Sequence, residues 1–164
     1  MCSNTFPAHT ASETLTETGV NDMSFDPDQF LSASADAPMS TDFTPVPEGE
    51  YNAVISKIDA RQTNSGKALL DVTWQIDDQQ VREVTGMDNP TCRQTIWLDV
   101  TDSGALDVGK GRNIGLGRLR EALGQNGPGA WAPSMMVGNV ARVMVSHRFY
   151  EGSTFADVKK VSKL

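Results

Sequence analysis

The stretch EYNAVISKIDARQTNSGKALLDVTWQI, residues 50–76, contains two candidate strands separated by a turn. Apolar residues recur with a period of two in its second half: Leu70, Val72, Trp74 and Ile76. Such alternation is typical of a strand that buries one face. The QTNSGK segment between the halves contains Asn, Ser and Gly, which favour turns. The stretch therefore predicts a β-hairpin with strands over 50–59 and 68–76, and it places Trp74 in the core.

The same alternation predicts three more strands, over 93–100, 140–150 and 154–161. On the third strand the predicted inward set is Ile96, Leu98 and Val100. On the fourth strand the predicted inward set is Ala141, Val143, Val145, His147 and Phe149. We expect His147, near the end of its strand, to have a structural rather than a catalytic role.

One helix is predicted over about 113–123. Asn113 is the predicted N-cap, and Gly124 is the predicted first residue past the end. Leu116, Leu119 and Leu123 fall on one side of this helix. Residues 77–92 are polar and are predicted to form a long connection, with Cys92 in a loop.

The first 45 residues differ in composition from the rest. They carry seven acidic residues and no Lys or Arg, whereas residues 46–164 contain 14 acids and 14 bases. They are rich in Ser, Thr, Ala, Asp and Pro, so they bury too little apolar surface to offset the entropy of ordering. The sequence therefore predicts an acidic, largely disordered tail over 1–45 and one domain over 46–164. Met23 leaves open an alternative start.

The stretch GALDVGKG, residues 104–111, resembles a Walker A phosphate loop, but Gly111 stands where that loop has Ser or Thr. A glycine cannot ligate Mg²⁺ through a side chain, and the order of elements lacks a βαβ unit. No nucleophile elbow or histidine cluster is present in the sequence. We therefore expect no enzymatic activity, no cofactor and no metal.

Two cysteines without metal or disulfide spacing indicate a reducing compartment. The N-terminus lacks the basic and apolar regions of a signal peptide, and no apolar run approaches the ~20 residues of a spanning helix. These features predict a soluble protein of the cytoplasm, without membrane partners.

The order β-β-β-α-β-β is that of an OB-fold, a five-stranded Greek-key barrel with one short helix between strands three and four. Three segments sharpen this prediction: MSFDPDQF, PVPEGEYNAVISKIDARQTNSGKALLDVTWQI and MVGNVARVMVSHRFYEG. Together they resemble a family of phage-encoded OB-fold single-stranded DNA-binding proteins, many of whose members are uncharacterised. The resemblance covers roughly residues 23–161, and it implies a role in phage DNA replication or recombination inside a bacterial host.

OB-folds bind single strands by stacking bases on exposed aromatic side chains beside cationic groups. Trp97 is out of phase with the core of its strand and shares a face with Arg93. The solvent-facing set of the fourth strand includes Arg142, Arg148 and Tyr150, and bases flank the first hairpin at Lys57, Arg61 and Lys67. These eight residues are the predicted nucleic-acid contacts, although a solvated surface would have the same pattern.

The tail contains the apolar segment FDPDQFL, and acidic tails commonly dock on basic partners through an aromatic anchor. Phe25, Phe30 and Leu31 are therefore the predicted contacts to phage or host replication and recombination proteins. The tail could also compete with DNA for the basic groove, or serve only solubility. Two functions stay open at this point: a single-stranded DNA-binding protein, and an OB-fold interaction or assembly module without DNA binding. A monomer and a homo-oligomer are both open.

Overall fold

A closed barrel of five strands forms the body of the protein in the computed structural model, which describes residues 25–164. The strands are β1 Gly49–Gln62, β2 Ala68–Ile76, β3 Thr91–Leu98, β4 Val140–Tyr150 and β5 Ser153–Ser162. The helices are α1 Pro27–Ser32, α2 Gln79–Thr85 and α3 Ile114–Ala122, and a single 3-10 turn spans Pro133–Met136.

The strands follow one another around the barrel in the order β1-β2-β3-β5-β4, and β4 returns to β1. Neighbouring strands are antiparallel except β3 and β5, which are parallel and meet at Arg93 and Asp157. This closed mixed barrel, with α3 between β3 and β4, is consistent with an OB-fold-like domain. The predicted strand bounds are confirmed for β2 and β4 and differ by one to three residues elsewhere.

The barrel interior is filled by the alternating apolar residues of the strands. Trp74 is fully buried, as predicted, and its indole Nε1 donates a hydrogen bond of 3.1 Å to Gln94 Oε1. Leu116 and Leu119 of α3, Val81 of α2 and Met136 of the 3-10 turn pack into the same core. The helices therefore add apolar side chains to a core that the strands only partly supply.

The prediction that residues 77–92 are only a connection was wrong, because they contain α2. The Asp78 carboxylate accepts a hydrogen bond from the backbone N–H of Val81, and Gly86 ends the helix in the left-handed conformation. Val81 is the only buried residue of this seven-residue helix. The sequence of α2 therefore has no helical period of apolar residues from which the helix could be predicted. Cys92 was also misplaced: it lies on β3 and faces the core.

Three predicted inward residues are exposed: Val100, His147 and Phe149. Val100 lies beyond the end of β3 and is 46% exposed. Phe149 is 74% exposed because β1 pairs with β4 only as far as Val145, so that the last residues of β4 pair with β5 alone. His147, also exposed, has the expected structural contact: its imidazole lies 2.8 Å from the carbonyl oxygen of Val46.

Residues 25–39 and 40–164 belong to separate compact units. In the first, Asp26 is the N-cap of α1, and its carboxylate accepts hydrogen bonds from the backbone N–H groups of Asp28 and Gln29. A short helix thus forms inside the segment predicted to be disordered, with no buried residue. The part of that prediction that concerns residues 1–24 lies outside the described residues, and so does Met23. No helix in the described part of the chain is long and apolar enough to cross a membrane.

Candidate nucleic-acid interface

Trp97 lies on the outer face of the β1–β2–β3 sheet and is 59% exposed. The strand register places Leu69 between Trp97 and Arg61. Leu69 is buried although it points away from the barrel core, so the side chains of these two neighbours are placed to cover it. The predicted outward orientation of Trp97 is confirmed, and the indole has an apolar side chain beside it.

The next position along the same face holds a buried carboxylate, Asp71. It accepts hydrogen bonds from Arg61 Nε at 2.6 Å and Thr95 Oγ1 at 2.7 Å. Burial by itself raises the pKa of Asp71, but these hydrogen bonds and the nearby charges of Arg61 and Arg93 outweigh it and hold the pKa below its ordinary value. Arg61 is therefore partly neutralised by the protein itself.

The third row contains Lys57, Thr73 and Arg93 side by side on β1, β2 and β3. Lys57 Nζ lies 2.8 Å from Asp59 Oδ2. Arg93 forms no ion pair with any other described residue, so its charge is available to a ligand. Lys67 lies in the β1–β2 turn, next to Ala68, which pairs with Leu98 at the Trp97 end of the face.

A groove of about 430 Å³ runs between β3 and β5, and Arg93 lines it together with Arg148 and Phe155. The Arg148 guanidinium lies 5.1 Å from the centre of the Phe155 ring, and its Nε bonds to Asp157 Oδ2. This arrangement holds an aromatic ring and two arginines along one groove. Phe43 and Pro45, from the segment that precedes β1, line the same groove.

The β4–β5 hairpin extends beyond the end of the barrel and turns at Glu151 and Gly152. Both turn residues have positive φ, 48° and 80°, as a two-residue type I′ turn requires. Tyr150 is 56% exposed and shares the face of Arg148, whereas Phe149 points to the opposite face. Tyr150 thus adds a second exposed aromatic side chain to the face of the hairpin that carries Arg148 and Phe155.

The structure brings most of the predicted contacts together but separates one. Lys57, Arg61, Arg93 and Trp97 share the outer face, and Lys67 lies at its end. Arg148 lines the groove opposite Arg93, and Tyr150 lies two residues further along the same face of β4. Arg142 is six residues from Arg148 on β4, which corresponds to about 20 Å along the strand. The sequence analysis did not identify Phe155. The period of two along β5, which places Phe155 on the same face as Asp157, is a signal that could have identified it.

The glycine-rich loop before α3 has a structural arrangement of its own. Asn113 lies at the predicted N-cap position but makes no capping bond; its amide donates to the carbonyls of Asp99 and Asp107. Arg112 lies 3.7 Å from Asp99 and 3.6 Å from Asp107. These bonds connect the loop to the end of β3. The loop therefore belongs to a barrel and not to the βαβ unit in which a phosphate loop lies.

Burial raises the pKa of the Cys92 thiol to about 12, so it stays protonated at neutral pH. In the described residues no group of three or more His, Cys, Asp or Glu side chains is arranged to hold a metal ion. In comparisons with known proteins, no protein-family model matches this chain, and no match is found among curated proteins.

Proposed function

We propose that this chain is a non-catalytic single-stranded DNA-binding protein, acting in phage DNA replication or recombination as the family resemblance implies. The observation that carries the proposal is the exposure of Trp97 on the outer face of a closed OB-like barrel, on the same face of β3 as Arg93, four residues away. An indole in this position offers a base a flat apolar partner, with Arg61 beyond Leu69 on the neighbouring strands and Arg93 further along β3.

The groove between β3 and β5 supports the same function. Its two arginines can contact phosphates, while Phe155 and Tyr150 offer further stacking surfaces. Because Arg61, Lys57 and Arg148 already bond to carboxylates, we expect Arg93 and Lys67 to contribute more to phosphate binding than these three.

The tail is proposed to dock partner proteins of replication or recombination. Phe25, Phe30 and Leu31 are 70%, 64% and 81% exposed, and the two phenylalanine ring centres are 5.2 Å apart. Two adjacent rings flanked by Asp26 and Asp28 suit a basic partner with an apolar pocket.

Replacing Trp97 by alanine tests the proposal. Base stacking contributes roughly 1–3 kcal/mol per base, so the affinity for fluorescein-labelled oligo-dT should fall about 5- to 150-fold. Trp97→Phe should retain part of the affinity, because a phenyl ring still stacks. Val108→Ala removes a side chain that is 91% exposed on a loop outside this face, and it should change nothing.

Because Trp97 helps to cover Leu69, the fold of each variant is checked by circular dichroism and thermal unfolding. A folded Trp97→Ala protein with the affinity of the wild type would exclude Trp97 from the site.

A second candidate function, an interaction or assembly module without DNA binding, is favoured by a separate apolar groove of about 500 Å³. Ile58, Leu70, Leu98, Val100 and Val137 line it, and the last two are each 46% exposed. If the wild-type protein shows no affinity for oligo-dT, this function replaces the first.

A further inference from the structure

A groove of about 920 Å³ lies between α3 and the C-terminal half of β5, outside the face described above. Its floor is apolar and includes Leu119, Met144 and Val161. Basic side chains line it: Arg118 from α3, and Lys159, Lys160 and Lys163 from β5 and the residues after it. The sequence analysis did not single out any of these four.

A local irregularity of the sheet concentrates this charge. Met144 pairs with Lys160 while Val145 pairs with Val158, so Lys159 is an extra residue in β5. The bulge brings two consecutive lysines to the exposed side. On the same side Arg142 pairs with Ser162, next to the groove. Arg142, which the structure separates from the Trp97 face, therefore lies beside this groove instead.

The four bases are not neutralised within the described part of the chain. None of them forms an ion pair there, whereas Lys57, Arg61, Arg82, Arg112 and Arg148 all do. Glu121 is the one acidic residue of the groove lining. The groove thus has a surplus of positive charge that the domain as a whole, with equal numbers of acids and bases over 46–164, does not have.

This groove adjoins the proposed DNA-binding groove along β5. On β3 the two grooves meet opposite faces of the strand, because Arg93 lines the proposed DNA-binding groove from the outer face and Gln94 lines the basic groove from the core side. On β5, Asp157 lines the first and Lys159 the second, a separation of about 7 Å along the strand. A DNA strand that runs from Arg93 toward β5 therefore reaches the lysines of the basic groove. It crosses no acidic surface on the way other than Asp157, which is paired with Arg148.

We propose that the α3–β5 groove binds the phosphodiester backbone of the same DNA single strand, as a continuation of the site on the barrel face. This inference rests on the proposed function. Successive cations along a groove match the repeated charge of a single strand, and the continuity of the two grooves favours DNA over an acidic peptide. The strand would stack on Trp97 and then run by its phosphates along β5 and α3.

Oligo-dT of two lengths separates the two parts of the site. Sites on OB domains cover roughly 4–16 nucleotides, so about 5 nucleotides should occupy the barrel face alone and about 15 should extend into the basic groove. The variant Lys160→Gln/Lys163→Gln should bind the short oligonucleotide like the wild type. It should bind the long one more weakly, by about fivefold per lysine at 0.1 M salt, with a salt slope smaller by about 1.4, at ~0.7 per phosphate.

Matched controls distinguish the groove from overall charge. Lys110→Gln removes a lysine from a loop outside both grooves and should leave the long oligonucleotide's affinity unchanged. Glu121→Gln removes the acid of the groove and should strengthen binding of the long oligonucleotide only. Glu83→Gln, on the exposed side of α2, should have no such effect.

Three outcomes overturn the inference. The first is equal weakening of both lengths, and the second is no weakening of either. The third outcome uses polyglutamate as a second probe. If the lysine variant loses binding to polyglutamate but binds the long oligonucleotide like the wild type, an acidic peptide is the occupant. If the wild type binds neither length, the proposed function fails and the inference fails with it. The short oligonucleotide contacts the barrel face alone. Its binding therefore distinguishes a failure of the proposed function from a failure of the inference about the basic groove.

Discussion

At the scale of the residue, Asp71 shows how the outer face is held together. A carboxylate between two strands accepts one hydrogen bond from β1 and one from β3 while it lies on β2, so it ties three strands on the side opposite the core. A charged hydrogen bond is stronger than a neutral one, but Arg61 is half exposed, and solvent screens its part of the interaction.

Asp71→Asn should lower the free energy of unfolding at pH 7 by about 1–2 kcal/mol, since a charged acceptor is lost from two hydrogen bonds. The folded-state pKa of Asp71 lies below its unfolded value. Its contribution is therefore fully present above the unfolded pKa and is lost as the pH falls through the folded pKa. The difference between wild type and variant should shrink steadily as the pH falls below about 4.

Urea unfolding at a series of pH values measures this difference. Asp77→Asn is the matched control, because the Asp77 carboxylate and its partner Arg82 are both exposed to solvent and such pairs contribute little. A constant difference from pH 7 to pH 3 would contradict the assigned role of Asp71.

At the scale of the element, the β4–β5 hairpin exposes an aromatic side chain on each of its two faces. It extends beyond its pairing with β1, so both faces are open to solvent. Alternation then places Tyr150 with Arg148 beside the DNA groove and Phe149 on the other side. Phe149 is the more exposed of the two side chains, and exposure alone would favour it as a stacking residue. The position of Tyr150 on the face of Arg148 favours Tyr150 instead.

Tyr150→Ser should weaken oligo-dT binding by about 5- to 150-fold, and Phe149→Ser should change it less than about twofold, because only Tyr150 shares the strand face of Arg148, which lines the groove. Both side chains lie outside the core, so each substitution should change stability by no more than about 0.5 kcal/mol. Fluorescence titration and thermal unfolding measure the two quantities. Equal weakening by both substitutions would contradict the assignment of faces.

At the scale of the whole molecule, the excess of negative charge lies near the N-terminus of the sequence. The first 39 residues contain six acids and no base, and residues 40–164 contain 15 acids and 14 bases. Phe43 and Pro45, which line the groove between β3 and β5, follow this acidic segment in the sequence. We propose that the acids of the segment compete with DNA for that groove.

Deleting residues 1–39 should leave the barrel folded and should strengthen oligo-dT binding at low salt, with the gain shrinking as salt screens the tail. A full-length protein in which the six acids are replaced by their amides should show the same gain. Titrations at about 0.05 and 0.2 M salt, which span the screening range, provide the measurement. Equal affinity of full-length and truncated proteins at low salt would exclude competition.

The sequence by itself determined the strands, α3, the burial of Trp74 and the exposure of Trp97, because alternation and helical spacing are local properties that a core imposes on neighbouring positions. Only the tertiary structure decided which strands meet. The closure of β3 on β5 joins Arg93, Arg148 and Phe155, which are far apart in the sequence, and the end of β1–β4 pairing exposes Phe149. The bulge at Lys159 and the basic groove depend on the pairing of strands and on the packing of α3, and these long-range contacts leave no periodic pattern in the chain.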